Sequence, residues 1–430
     1  MTVHEFQDLY PTREQKEEAV RQLSDEEISE IINSCDNFYG KKFYSSLRMK
    51  NHIRRYSVRY NEITGKALQY FAESKAGENI VISPFSILTL LAIVAESVDG
   101  DSLNEILEAI CGGFPYEMFQ EVITELNWIL TNPVTNVTED GEYMTGDSVV
   151  SSSAVIIQKR LKESLVPVYE DILYEYGGKL FASDNIVQDI NVWVEKSTRG
   201  MICDIADESM SDALACLINA IAFEADWGSQ YEEEDIDEGT FRNADGTESD
   251  VQMMCSTENL YIEDKDFTGF LKPYKNNEFL FMALLPKKQG NRAFLRAINR
   301  MNLKVLFETA LPGFDIDVMI PEFSFTFDDD MIGFCKNEGI KTIFTPDADF
   351  SPMTAEWLML DSIIHKAHIE VDRRGTKAAA ATAAFIATGC APVERFYSVH
   401  LDRPFVYAIF HNDTGIPIFA GVMNRAEYRV

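Results

Sequence analysis

The segment Glu370-Val-Asp-Arg-Arg-Gly375-Thr-Lys-Ala-Ala-Ala-Ala-Thr382-Ala-Ala-Phe-Ile-Ala-Thr-Gly-Cys390 decides how the whole chain is understood. It lies between two strand-like runs, residues 362–371 and 395–401. Helix propensity alone predicts that its alanines form a short surface helix. With the periodicity of a strand, every second side chain after Gly375 falls on one face. That face carries Thr376, Ala378, Ala380, Thr382, Ala384 and Ile386.

None of these side chains is charged, and none is bulky before Ile386. Lys377, the only charged residue after the glycine, falls on the opposite face. As a strand, the segment can therefore enter a sheet without burying a charge. Burial of an unpaired charge would cost at least several kcal/mol. From the residues alone, both a surface helix and an insertable strand remain open.

Composition limits the possible partners. The chain has 430 residues, 46% of them apolar, and a formal net charge of −32 at pH 7. This charge repels nucleic acid, anionic membranes and polyanions such as heparin. No apolar run is long enough to span a bilayer. The seven cysteines are odd in number and never spaced as C-x-x-C, so we expect free thiols rather than a disulfide framework or a zinc site.

The chain divides by pattern into an N-terminal extension, residues 1–55, and one large domain, residues 56–430. The extension has helix-forming content, with Ser24 as a plausible cap before three acidic residues. Residues 37–60 are basic without an acid, which indicates either an arm that leans on the acidic body or a docking segment. No signal peptide is visible, so the protein works where it is made or has lost a leader.

Sequence motifs of common enzymes are absent. The chain has no G-x-G-x-x-G, no phosphate-binding loop, no H-E-x-x-H and no G-x-S-x-G. His365 and His368 are three residues apart in a strand-like run and point to opposite faces, so they do not share a metal. We therefore expect no cofactor, no metal and no enzymatic activity. A cysteine-dependent enzyme that uses Cys390 is kept as an alternative, since its small neighbours form an accessible loop.

From about residue 56 to residue 424, several motifs in order resemble those of the serpin family. They are residues 79–86 (NIVISPFS), 219–227 (NAIAFEADW), 365–367 (HKA), 375–382 (GTKAAAAT), 402–407 (DRPFVY) and 419–421 (FAG). The resemblance implies an α+β fold with a large antiparallel central sheet, smaller sheets and about eight or nine helices. It also implies an exposed reactive-centre loop at about residues 372–394.

The resemblance implies a suicide mechanism. A serine protease cleaves the loop and forms an acyl-enzyme, and the hinge then inserts into the central sheet as a new strand. The hinge residues carried over are Gly375, Thr376, Lys377, Ala378, Ala379, Ala380, Ala381 and Thr382. The tethered protease is distorted, so deacylation fails.

Further site residues follow from the same motifs. Ser83, Ser86, Asn219 and His365 match the polar cluster where the central sheet parts, and Trp227 matches the aromatic near the start of insertion. Ser83 is also interpretable as a helix cap and Trp227 as plain core.

The position of the cleaved bond follows from counting. In inhibitory members it lies about fourteen residues after the hinge glycine, which gives Gly389-Cys390 here. A shift of one residue in this count would give Thr388-Gly389 or Cys390-Ala391 instead. A small residue before the bond favours elastase-like or subtilisin-like proteases over trypsin-like ones.

The chain departs from the family pattern at Lys377 and at Arg373-Arg374, where acids are common. The first of those acids usually pairs with a lysine on a neighbouring strand, and the matching position here is Glu322. We therefore predict a pair with its charges swapped, Arg373 with Glu322.

Two other interpretations stay open. A serpin fold can serve a non-inhibitory binding, storage or chaperone-like protein. Oxidation of Cys390 could also control whether a protease is inhibited at the Gly389-Cys390 bond. We expect a monomer, and no activation by heparin because residues 116–130 are acidic.

Overall fold

The computed structural model describes residues 1–132, 136–137, 143–144, 148–198, 200, 206–208, 211, 213–376 and 396–427. Its α-helices are α1 (Val3–Leu9), α2 (Arg13–Val20), α3 (Asp25–Asn33), α4 (Phe38–Ser74), α5 (Pro84–Ala95), α6 (Gly100–Cys111), α7 (Tyr116–Thr131), α8 (Tyr169–Glu175), α9 (Ile186–Ser197), α10 (Asn291–Ile298), α11 (Leu303–Glu308) and α12 (Ile332–Asn337). Its strands are β1 (Ile80–Ile82), β2 (Asn136–Val137), β3 (Tyr143–Met144), β4 (Ser148–Gln158), β5 (Gly178–Ser183), β6 (Ala215–Asp226), β7 (Ile236–Arg242), β8 (Glu248–Glu263), β9 (Phe267–Pro273), β10 (Phe279–Pro286), β11 (Leu311–Pro321), β12 (Phe323–Asp330), β13 (Ser362–Val371), β14 (Gly375–Thr376), β15 (Phe396–His400), β16 (Phe405–His411) and β17 (Ile416–Met423).

The first three helices pack on the start of α4. Thr2, Thr12 and Ser24 begin them as capping boxes, in which each side chain bonds the third backbone amide of its helix. Phe6 and Tyr44 are buried together in an apolar cluster that joins α1, α3 and α4. Helix α4 is continuous through residues 55 and 56, so the proposed extension and the large domain share one helix.

Basic residues of α4 contact acids elsewhere in the chain. His52 Nε2 lies 2.7 Å from Asp25 Oδ1, and Arg55 Nη1 lies 3.0 Å from the other oxygen of the same carboxylate. Arg48 is 4.0 Å from Glu121 of α7. Asp25 lies in the proposed extension and Glu121 in the large domain, so the two shorter contacts are internal to the extension.

The central sheet has the strand order β12-β13-β6-β4-β5, with β14 added beside β6. It contains two parallel pairs, β13 with β6 and β4 with β5, and its other pairs are antiparallel. A second, nine-stranded sheet has the order β1-β17-β16-β10-β9-β8-β11-β15, with β7 beside β8. The expected combination of large sheets and helices is present, and nine of the α-helices in the described ranges follow α3.

Both faces of β6 are covered. Leu217, Ile221 and Phe223 belong to the main core, whereas Cys216 and Ile218 point to a second apolar cluster under α9. This alternation identifies odd-numbered residues of β6 with the core face. None of the helices in the described part of the chain is both long and apolar enough to cross a membrane.

Candidate functional site

The chain reverses direction directly after β13. Asp372 N donates to the Gly375 carbonyl at 3.0 Å, and Gly375 N donates to the Asp372 carboxylate at 3.1 Å. Beyond this turn, β14 pairs antiparallel with the end of β6, with Gly375 opposite Asp226 and Thr376 opposite Ala225. The first two hinge residues therefore already occupy a strand position in the central sheet.

Only glycine fits at position 375. A Cβ atom there would overlap the carbonyl oxygen of Ala225 and crowd the backbone of Asp226. The close approach of the two backbones, which the sheet pairing requires, depends on the missing side chain.

An aromatic pair holds the turn. Trp227 N donates to the Arg374 carbonyl at 3.0 Å, and its indole Nε1 donates to the Asp372 carbonyl at 2.9 Å. The Trp227 ring stacks on Tyr274 with centroids 4.6 Å apart. Trp227 is therefore a buried core residue that also holds the hinge turn in place through its hydrogen bonds.

A buried ion pair supports this aromatic layer. Lys272 Nζ lies 2.7 Å from Glu258 Oε1 and 4.6 Å from the centroid of the Tyr231 ring, and both charged residues are buried. Burial opposes the charge on Lys272, but the Glu258 carboxylate and the Tyr231 hydroxyl outweigh it and raise the lysine pKa. Sequence reasoning missed these three residues. Lys272 is the one charged residue of the mostly buried strand β9, and this was the available signal.

The predicted charge-swapped residues are neighbours. Arg373 Nε donates to Glu322 Oε1 at 3.1 Å, and this hydrogen bond raises the pKa of Arg373. The Arg373 side chain is 41% exposed and that of Glu322 11% exposed. Solvent therefore screens the interaction on one side.

We expect Arg373→Glu and Glu322→Lys each to weaken stability, and the double variant to recover about 1 kcal/mol relative to the sum of the two losses. The physical reason is that the double variant restores opposite charges at the same distance. Urea unfolding of the four proteins measures the coupling. Additive losses would show that the contact has no energetic role.

The four polar residues predicted at the parting point of the sheet meet in one buried network. Ser83 N donates to His365 Nε2 at 3.1 Å, which leaves the ring proton on Nδ1 to be donated to Ser86 Oγ at 3.2 Å. Ser86 Oγ in turn donates to Asn219 Oδ1 at 2.5 Å. All four residues are completely buried. Ser83 also caps α5, because its hydroxyl accepts from Ser86 N.

Burial lowers the pKa of His365 to about 4, so the imidazole is neutral at pH 7. The neutral ring is the form that the network needs, since Nε2 must accept a hydrogen bond. His365 is also the register partner of Asn219 in the parallel pair of β13 and β6. The network therefore fastens these two strands where they are adjacent.

The remaining predicted residues lie outside the described ranges. They are Lys377, Ala378, Ala379, Ala380, Ala381, Thr382, Thr388, Gly389, Cys390 and Ala391. Within the described ranges, five cysteines are free thiols, and no group of three or more His, Cys, Asp or Glu side chains is placed to hold a metal ion.

Comparisons with known proteins agree with this geometry. The family model for Serpin (serine protease inhibitor) matches residues 59–425. Plasminogen activator inhibitor 1 of Sus scrofa is 26% identical over 371 residues, which covers 83% of this chain and 89% of the relative. The native crystal structure of the thermophilic serpin tengpin matches with a TM-score of 0.73 and 28% identity, over 86% of this chain and 94% of tengpin.

Human thyroxine-binding globulin in complex with its ligand shares the fold, with a TM-score of 0.76 and 22% identity, over 88% of this chain and all of that chain. These structures confirm the predicted fold class. Members of the family are generally protease inhibitors rather than enzymes, and the match extends over most of the length of the chain. The chain therefore belongs to the serpin family.

Proposed function

We propose that this chain is a suicide-substrate inhibitor of serine endopeptidases of the elastase-like or subtilisin-like class. The observation that carries the proposal is the pairing of β14 with β6, because it supports entry of the rest of the hinge into the sheet in the same register. In this antiparallel register the numbers of paired residues have a constant sum, so each further hinge residue has one partner on β6.

Continued in the same register, the hinge places its small residues on the core face. Ala378 would lie opposite Phe223, Ala380 opposite Ile221 and Thr382 opposite Asn219. Directly opposite residues of an antiparallel pair point to the same face. The β6 partners at 221 and 223 belong to the main core, so only small or uncharged side chains enter it.

Insertion must separate β13 from β6. In this structure the two strands are directly paired, from Ser362 opposite Cys216 to Ala367 opposite Ile221. The bonds that His365 makes to Ser83 and Ser86 connect β13 to α5 at the same level. This network would resist opening before cleavage and yield once the hinge strand supplies new backbone partners.

The bond offered to the protease, Gly389-Cys390, is carried over from the family pattern by counting from Gly375. A protease serine would attack the carbonyl of Gly389, form an ester with it and release the amine of Cys390. With Thr388 and Ala391 as neighbours, the residues around the bond suit a small specificity pocket. Insertion of the hinge then drags the protease along with the cleaved end of the loop, to which the ester joins it, and distorts its active site before water can hydrolyse the ester.

A non-inhibitory binding protein is the second candidate, because thyroxine-binding globulin shares this fold. The absence of charged or bulky residues from the inserting face of residues 376–384 favours inhibition.

Incubation with an elastase-like and with a subtilisin-like protease tests the proposal. We expect a complex that survives denaturing electrophoresis and the release of a peptide that begins at residue 390, or one residue to either side. A protease whose catalytic serine has been blocked is the control and should give neither product. Cleavage without a stable complex, at every ratio of protease to chain, would contradict inhibition.

A further inference from the structure

A cavity of about 370 Å³ lies where three segments of the chain meet, with Asn424 after β17 as a further lining residue. The three segments are the end of β7 with the link that follows it, the link between β10 and α10, and the link between β15 and β16. The volume is at the lower end of the range found for small-molecule sites.

Three cationic side chains line this cavity, one from each segment: Arg242, Lys288 and Arg403. No acidic residue is among the lining residues that the structure describes there. The contrast with the rest of the molecule is large, because the whole chain has a net charge of −32. A nearby groove of about 580 Å³ is lined instead by four carboxylates, those of Glu238, Asp250, Glu322 and Glu427.

The cations are only partly neutralised. Arg242 is 3.7 Å from Glu248, and Arg403 Nη1 is 2.7 Å from the neighbouring Asp402. Arg403 Nη2 donates to the Pro286 carbonyl, but its Nε is buried without a hydrogen-bond partner. This Nε is closed to solvent and so out of reach of a ligand in the cavity, whereas 23% of the Arg403 side chain is exposed and lines it.

The N-terminus of α10 opens on the same cavity. Its cap residue is Gly290, which has a positive φ of 97° and no side chain to accept a hydrogen bond from the first turn. Gly290 and Asn291 both line the cavity. The helix dipole favours an anion at this position, although the Ala293 and Phe294 amides already donate to the Gly290 carbonyl. Phe294, Pro286 and Pro404 supply an apolar wall beside it.

We propose that this cavity is a binding site for a phosphate monoester with a small apolar body. A phosphate has the charge and the acceptor oxygens for two guanidinium groups, an ammonium group and helix amides, whereas the apolar wall fits the ester substituent. The ligand would join β7, the β10–α10 link and the β15–β16 link. Its binding does not depend on protease inhibition.

Titration calorimetry of the full chain with phenyl phosphate, at constant ionic strength, tests the site. We expect one saturable site, with inorganic phosphate binding more weakly and phenol not at all. Lys288→Gln and Arg242→Gln should each weaken binding about tenfold. Lys288 is exposed, so its replacement should leave the melting temperature unchanged. The matched control Lys162→Gln removes an exposed charge elsewhere and should change affinity less than about twofold.

Sedimentation with vesicles that contain phosphatidate distinguishes the source of the phosphate. Vesicle binding that Lys288→Gln abolishes would assign the site to a lipid headgroup, whereas soluble binding alone would assign it to a free monoester. Absence of saturable binding to every probe, or equal weakening by Lys162→Gln and Lys288→Gln, would overturn the proposal.

Discussion

Thr376→Arg should convert the inhibitor into a substrate. Thr376 is paired with Ala225, which is buried in the main core, so the register directs an arginine at this position into apolar surroundings. Burial of an unpaired charge costs several kcal/mol, so insertion should stop at the first core-facing position and deacylation should overtake it. We expect the number of inhibitor molecules consumed per protease inactivated to rise at least about tenfold.

Lys377→Arg is the matched control, because position 377 falls on the opposite face and keeps its charge. Densitometry of complex and cleaved chain after denaturing electrophoresis gives the ratio for both variants. If Thr376→Arg left the ratio of covalent complex to cleaved chain unchanged, the proposed register would be contradicted. Loss of inhibition in both variants would instead indicate a general defect of the loop.

Acidification should weaken the fold between about pH 6.5 and pH 4. Burial lowers the pKa of His365 and of His411 to about 4 in the folded chain, from an ordinary value of 6.5. In this window the unfolded chain binds protons that the folded chain excludes, so the free energy of unfolding falls as the pH falls. For His365 the loss amounts to about 3 kcal/mol when the window has been crossed.

Urea unfolding followed at several pH values measures this loss as a slope against pH. His365→Gln should flatten the slope, even though it also removes hydrogen bonds at every pH, whereas the exposed His4→Gln should keep it. An equal slope for wild type and His365→Gln would show that the histidine is already charged, or accessible to protons, in the folded chain.

The pattern of the hinge segment is local and therefore visible in the sequence, but only Gly375 and Thr376 of it lie in the described ranges. Period-two spacing of small residues after Gly375 is visible in the sequence, and the motif around Ser83 appears with its own cap and proline. The partners Arg373 and Glu322 could be predicted as well, but only through the family resemblance, because 51 residues separate them.

Features formed by distant segments were not predictable. Lys272 and Glu258 are a buried pair only because β8 and β9 pack under the hinge turn, and the cationic cavity combines side chains from three separate segments. Helix α4 begins at Phe38 after its cap Asn37 and runs to Ser74, so a single helix crosses the pattern change at residues 55 and 56.

The crystal structure of the chain cleaved in its loop tests the central claim most directly. We predict that the hinge forms a full strand between β6 and β13, with Ala380 opposite Ile221 and Thr382 opposite Asn219, and that the direct pairing of Ala367 with Ile221 is lost. A cleaved structure in which β6 and β13 remain paired, with the hinge outside the sheet, would contradict the account.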